Sequence, residues 1–243
     1  MSNYPQISPL GDRSILIDFG GEISSGSLEK VLFFKKNIEK SNFKQKVEVI
    51  NTYNSLLISY LFTIEDVYGE VLRLKGLVRQ ANIPKKSNYK IFQIPVCYDK
   101  DFGLDLEYIS NANNLTIEDI IELHTAPTYQ IYFIGFLPGF LYLGGLDKRL
   151  HISRKKSPRK SVEKGAVGIG ENQTGIYPKS SPGGWQILGK TPIDLFNKNE
   201  DPPTNFSAGD KIKFVAVSKN EFIEIEKEIA DRNYTLKFEN YEG

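Results

Sequence analysis

Residues 184–191 read GWQILGKT, a literal match to the phosphate-binding pattern G-x-x-x-x-G-K-[ST]. That pattern works by aiming successive backbone N–H groups at one anion, and it needs a buried strand before it and a helix after it. Neither is present. Gly184 follows KSSPG, a turn, and Thr191 precedes Pro192 and the β-like run IDLF. The spacer Trp185-Gln186-Ile187-Leu188 is bulky and strand-forming, whereas a phosphate cradle needs small residues. The stretch reads as turn, strand, turn, strand. Lys190 is not expected to hold a phosphate.

Other residues have types suited to chemistry. Arg154 and Arg159 carry guanidinium groups, which grip carboxylate or phosphate through paired hydrogen bonds. With Lys148, Arg149, Lys155, Lys156 and Lys160 around them, they equally read as part of a solvated basic loop. Gln173, Thr174 and Tyr177, in QTGIYP, present donors for a planar amide or carboxylate, or stabilise a turn. Gly183 and Gly184 read as glycines needed for backbone conformation. Trp185, the single tryptophan, alternates with Ile187 and reads as core. His124 has no metal partner adjacent in sequence and reads as a packed or capping residue. Cys97 reads as buried and inert. Phe136, Pro138 and Phe140 read as a rigid wall or a partner-facing patch. No metal site is visible.

These residues need elements to hold them. RSILIDF (13–19) reads as a strand, and Leu28, Val31, Leu32, Lys35 and Ile38 then fall at helical spacing. KVEVINTY (46–53) and SLLISYLF (55–62) read as a hairpin about Asn54. Val67, Val71, Leu74 and Val78 mark a second helix, NIPKKSN (82–88) breaks it, and KIFQIPV (90–96) is a strand. The order β-α-β-β-α-β is that of a ferredoxin-like unit. The expected division is an α/β domain over 1–88 and a second domain over 89–243, an α+β fold overall. In the second, T-I-E-D at 116–119 opens a helix carrying IIELH, and TYQIYFIGF (128–136) is a strand. Short β-runs punctuated by Gly and Pro follow to about Phe214, which suggests a closed β-barrel. KNEFIEIEKEIADR (219–232) reads as a terminal helix, with Phe222, Ile225 and Ile229 inward.

Composition narrows the function classes. Lys plus Arg is 31 against 30 for Asp plus Glu, a balance that argues against general nucleic-acid binding or a polybasic membrane anchor. No apolar run is long enough to span a bilayer, and no secretory signal is visible at the N-terminus. A single cysteine permits no internal disulfide, so the cytoplasm is the expected location.

Taken as a whole, residues 135–196 closely resemble the signature of the KipI/PxpB family. Members are called the B component of 5-oxoprolinase, kinase inhibitor KipI or, in older usage, the first component of allophanate hydrolase. The matching pieces are GFLPGF, YLGGL, R-x-x-SPR, GAVGI, QTGIYP, SPGGWQILGKTP and LF; PVCYD (95–99), IELHTA (121–126) and FSAGDKIKF (206–214) also fit. Three positions depart: Glu171 in Gly170-Glu171-Asn172-Gln173, Ser153 where proline is common, and Lys190 where arginine is frequent.

The resemblance implies a cyclophilin-like β-barrel and work in a complex that couples ATP, with Mg, to opening the lactam of 5-oxo-L-proline to L-glutamate. The implied partners are a KipA/PxpC-like protein and a PxpA-like protein, with ATP bound by the complex. The alternatives it carries are inhibition of a sensor histidine kinase, or urea and allophanate metabolism. It draws His124 towards a proton-carrying role and, with Arg154 and Arg159, into the catalytic set. Gln173, Thr174, Tyr177, Gly183 and Gly184 become substrate-binding candidates. Phe136, Pro138, Phe140 and Trp185 become a pocket or partner wall.

Overall fold

The computed structural model describes residues 5–79 and 88–242. The chain divides between Ser87 and Asn88 into two compact units. In the first, β1 (Gln6–Pro9), β2 (Ser14–Asp18), β3 (Val47–Asn51) and β4 (Ser55–Tyr60) form an antiparallel sheet in the order β1-β2-β4-β3. Helix α1 (Ser25–Glu39) follows β2 and α2 (Val67–Arg79) follows β4. Strand alternation puts Ile15, Ile17, Val49, Leu56 and Ile58 on one face, where Val31, Phe34 and Ile38 of α1 and Leu74 of α2 join the same core. Helix α1 starts at a reciprocal cap: the Ser27 amide donates to Ser24 Oγ at 3.2 Å and the Ser24 amide to Ser27 Oγ at 2.8 Å. Such a cap contributes about 1 kcal/mol.

The hairpin and both helices form where the sequence puts them, but the unit closes differently. KIFQIPV pairs within the second unit. The sheet edge beside β2 is taken by β1, giving β-β-α-β-β-α in place of the expected ferredoxin-like β-α-β-β-α-β. Strand β1 is short, mostly exposed and ends in proline, features an edge strand tolerates and a pattern search passes over. The expected break at NIPKKSN lies, except for Asn88, outside the described residues.

The second unit runs β5 (Tyr89–Cys97), α3 (Leu106–Asn113), α4 (Ile117–Thr125), β6 (Tyr129–Ile134) and β7 (Leu141–Gly144). After a short 3-10 turn at Lys148–Leu150 come β8 (Arg159–Val162), β9 (Ala166–Gly170), β10 (Gln173–Ile176), β11 (Ser181–Gly183) and β12 (Gln186–Lys190). It ends with β13 (Lys211–Val217), α5 (Lys219–Ala230) and β14 (Phe238–Tyr241). The strands β12-β9-β10-β7-β6-β13-β5 close into a barrel, completed where Lys190 meets Cys97. Strands β13 and β5 run parallel; the other neighbours are antiparallel. Strand β14 adds to β5, and β8 pairs with β11 in a separate ribbon. Helix α4 starts at Thr116, whose hydroxyl accepts from the Asp119 amide at 3.0 Å. The strand expected at IDLF does not form; Ile193 and Leu195 are buried in irregular chain. Among the described residues, no helix is long and apolar enough to cross a membrane.

Candidate active site

The apparent phosphate loop dissolves into barrel parts. Strand β12 begins at Gln186, and no helix starts at Thr191, which leads into irregular chain. Gly184 accepts a hydrogen bond from the Lys155 amide at 2.7 Å. Gly189 has a packing reason: a Cβ there would lie 2.5 Å from the Cys97 carbonyl oxygen, where β12 closes on β5. Lys190 donates to Glu163 at 2.9 Å and lies over the Phe102 ring. Cys97 is buried in the same seam, and burial raises its thiol pKa, consistent with an unreactive side chain.

His124 lies inside the barrel with no solvent exposure. Tyr98 Oη is 2.7 Å from its Nδ1, and its Nε2 is 2.9 Å from Thr174 Oγ1, which donates in turn to the Gly168 carbonyl at 3.0 Å. One proton arrangement satisfies every member: Tyr98 donates to Nδ1, and Nε2–H donates to Thr174. The ring stacks on Phe214 at 4.6 Å, and burial lowers its pKa to about 3. A neutral, sealed imidazole is not placed to carry protons to a substrate. His124 and Thr174 are both fully buried in the barrel core.

The exposed chemistry gathers on another face, over a small core of Phe140, Val162, Ala166, Tyr177, Trp185 and Ile187. The indole of Trp185 lies on a floor made by missing side chains. A Cβ on Gly170 would come within 2.7 Å of it, and one on Gly175 within 3.0 Å. Phe140 packs edge-on against Trp185, Tyr177 and Phe136. Phe136 is 66% exposed and has φ 64°, a backbone state costly for a bulky residue. The GFLPGF loop holds it there, with Gly135 N donating to Phe140 O at 3.1 Å and Phe140 N to Leu137 O at 2.9 Å. Pro138 is exposed beside it, and Phe140 is buried beneath.

Arg154 completes this face. Its guanidinium lies 5.7 Å from the Trp185 ring centre, and no ion pair to it is found among the described residues. The Glu171 carboxylate stands 3.5 Å from the Arg154 amide, in a turn bridged to Ile152. Gln173 is half-buried at the start of β10. Tyr177 is buried, so it supports the wall from below. Gly183 has a reason other than the expected one: its φ is not positive, but a Cβ would lie 2.4 Å from the Tyr177 hydroxyl. Gly184 also lacks a positive φ.

Arg159 goes elsewhere. Its Nη2 donates to both oxygens of Asp105, at 2.7 and 2.9 Å, and its Nη1 to the Trp185 carbonyl at 3.3 Å. Asp105, 5% exposed at its side chain, also accepts from Lys155 Nζ at 2.9 Å and the Ile187 amide at 2.6 Å. Burial alone would raise its carboxyl, but the bonds from Arg159, Ile187 and Lys155 hold it below the usual range. Arg159 is thus a structural tie. No local pattern marks Asp105, since its partners lie 50 to 82 positions away; the short helix it precedes is equally unmarked.

The N-terminal unit has its own cleft of about 550 Å3. Tyr60 and Arg73 both donate to Glu70 at 2.7 Å, and Arg73 stacks over Phe43. None of the expected site residues lines it. Among the described residues, no group of three or more His, Cys, Asp or Glu side chains is arranged to hold a metal.

Comparison with known proteins gives the kinship. Residues 5–206 match the model of the carboxyltransferase domain, subdomain C and D. The chain is 41% identical to the B component of 5-oxoprolinase from Bacillus subtilis over 229 residues, covering 89% of this chain and 95% of that one. It is 37% identical to the protein of the same name from Haemophilus influenzae, covering 86% and 96%. In fold it is similar to the Kluyveromyces lactis urea carboxylase, with a TM-score of 0.81 over 97% of this chain and 24% of that one, at 20% identity. The chain belongs to the family of carboxyltransferase domains, subdomain C and D, and within it to the KipI/PxpB group.

Proposed function

We propose that this chain is the PxpB component of an ATP-dependent 5-oxoprolinase, and that the face formed by Arg154, Trp185 and Phe136 receives the lactam. The observation that carries the reading is Arg154: a guanidinium without an ion-pair partner among the described residues, 5.7 Å from the ring centre of the buried Trp185, against which Phe140 packs with the exposed Phe136 on its other side. 5-Oxoproline is a small ring bearing one carboxylate. The guanidinium fork suits the carboxylate, and the aromatic surface suits the ring and excludes water from it.

The lactam itself is resonance-stabilised and opens slowly. ATP would supply activation by passing its terminal phosphoryl group to the amide oxygen and leaving as ADP; water would then add to the carbonyl carbon, the ring C–N bond would break with a proton passing to nitrogen, and inorganic phosphate would leave. Stabilising that transfer needs cations and N–H donors around the phosphoryl group. On this chain Arg154 holds the substrate carboxylate and the wall from Phe136 to Trp185 fixes the ring. The described residues of the wall include no nucleophile, and the metal-ligand groups are not assembled here. Mg would accompany ATP, at a site completed by the KipA/PxpC-like partner, with the PxpA-like protein also required. The barrel is read as cyclophilin-like and the complex as cytoplasmic.

The test is reconstitution. The isolated chain is expected neither to hydrolyse ATP nor to open 5-oxoproline, whereas the chain with its PxpC-like and PxpA-like partners should consume ATP only when the lactam is present. Lactam-independent ATP consumption, or none with cognate partners, would contradict the reading. In the same assay Lys190→Ala should leave turnover within about threefold, because its partner Glu163 is exposed and such pairs contribute little. A loss of about a thousandfold, the scale of a removed phosphoryl-stabilising cation, would reinstate the phosphate loop. The urea branch is the second reading, favoured by the fold likeness to a urea carboxylase.

A further inference from the structure

The geometry points to Asp105 as a positioning residue for the lactam site, acting through Arg154 without touching substrate. The inference rests on the reading of Arg154 as the carboxylate grip. Arg154 lies in an exposed segment, where an arginine would normally sample many rotamers. Its neighbours on both sides are anchored. The Ser153 carbonyl accepts from Gln186 Nε2 at 3.1 Å, and the Lys155 amide donates to the Gly184 carbonyl at 2.7 Å.

The side chains of the segment then converge on one buried carboxylate. Lys155 Nζ reaches Asp105 at 2.9 Å and Gln186 Oε1 at 3.3 Å; Arg159 spans Asp105 and the Trp185 carbonyl. Asp105 also holds β12 directly, through the Ile187 amide at 2.6 Å and its own amide to the Ile187 carbonyl at 3.0 Å. The carboxylate thus ties the segment carrying Arg154 to the chain carrying Trp185, the two halves of the proposed binding face.

It also neutralises. Without Asp105, Lys155 and Arg159 become two uncompensated cations in the stretch that follows Arg154, and their repulsion works against a fixed seat for it. A buried charge with several partners is costly to leave half-satisfied. Asp105→Asn replaces one acceptor oxygen with a donor facing Arg159, Lys155 and the Ile187 amide, so it attacks the tie while conserving volume.

A residue that only stabilised the fold would also be sensitive to Asn, so the test is a double-mutant cycle with two readouts. Trp185 is the single tryptophan and is 5% exposed, so acrylamide quenching of its emission in the whole chain reports whether the ring stays sealed when Arg154 or its tie is removed, independently of activity. Asp105→Asn should raise quenching about as much as Arg154→Ala, and the double variant should add nothing. In the assembled complex Asp105→Asn should raise the KM for 5-oxoproline about tenfold, the size of one weakened charge-assisted contact. In the Arg154→Ala background it should change KM little. If Asp105→Asn does not fold, Lys155→Met cuts one arm of the same tie and should give the same pattern more weakly. A lowered melting temperature with unchanged quenching and KM, or losses that multiply in the double variant, would overturn the inference. If the wild-type complex shows no lactam turnover, the functional reading fails, and the quenching cycle alone still decides whether Asp105 seats Arg154.

Discussion

Arg154→Ala is expected to cut kcat/KM for 5-oxoproline in the assembled complex by about ten- to a hundredfold, mostly through KM, the cost of losing a charge-assisted contact to the substrate carboxylate. The side chain is exposed and lies on Trp185, with no ion pair to it among the described residues. Its removal should therefore leave the melting temperature and the assembly of the complex nearly unchanged. Arg154→Lys keeps the charge and loses the fork, so it should fall between. Arg159→Ala should instead act first on stability, with a smaller rise in KM because it cuts one arm of the tie that seats Arg154. It strips the two-oxygen tie from a buried carboxylate, at a cost of roughly 3 kcal/mol for breaking a buried pair. Turnover and thermal melts on the same preparations check both. A stability loss without an activity loss at Arg154 would place it in the scaffold instead.

Acid should weaken the second unit through His124, in a window set by one buried imidazole. Its pKa falls from 6.5 to about 3 on burial. Above pH 6.5 neither state is charged and the full stability is present. As pH falls from 6.5 towards 3, the unfolded chain takes up a proton that the native chain refuses, so stability is progressively lost. The loss between pH 6.5 and 5 is roughly 1.5 kcal/mol, from the limiting slope of about 1.4 kcal/mol per pH unit. Asp105 and Glu70, whose carboxyls are held low in the native state, lose their contribution only at lower pH, once carboxylates begin to protonate. Urea melts across pH 7.5 to 5 test this. His124→Gln should be less stable at pH 7.5, through poorer partnering with Tyr98 and Thr174, but flatter across the window. An equal slope in both proteins would mean that His124 takes up a proton in the native state.

What the sequence made visible was local. The capping box at Thr116 and Asp119, the hairpin of β3 and β4, and the stripe on α1 each arise from residues a few positions apart, and each forms. What it hid was long-range. Strand β5 looks like any apolar strand, and only pairing with β13, 120 positions on, assigns it to the barrel. The same distance hid Asp105 among the arginines. His124 sits on the inward stripe of α4, where periodicity reveals burial but not the Tyr98 and Thr174 partners that keep it neutral. The floor under Trp185 was written as glycines in GAVGIG and QTG, legible as turns and not as room for an indole.

The most direct measurement is calorimetric titration of this chain, assembled with the proposed PxpC-like partner, with 5-oxo-L-proline and separately with urea, in the presence of a non-hydrolysable ATP analogue. The account predicts saturable binding of 5-oxoproline that Arg154→Ala weakens at least tenfold, the cost of about 1.4 kcal/mol of lost contact, and no detectable binding of urea. Urea binding in its place, or 5-oxoproline binding that is indifferent to Arg154, would contradict it.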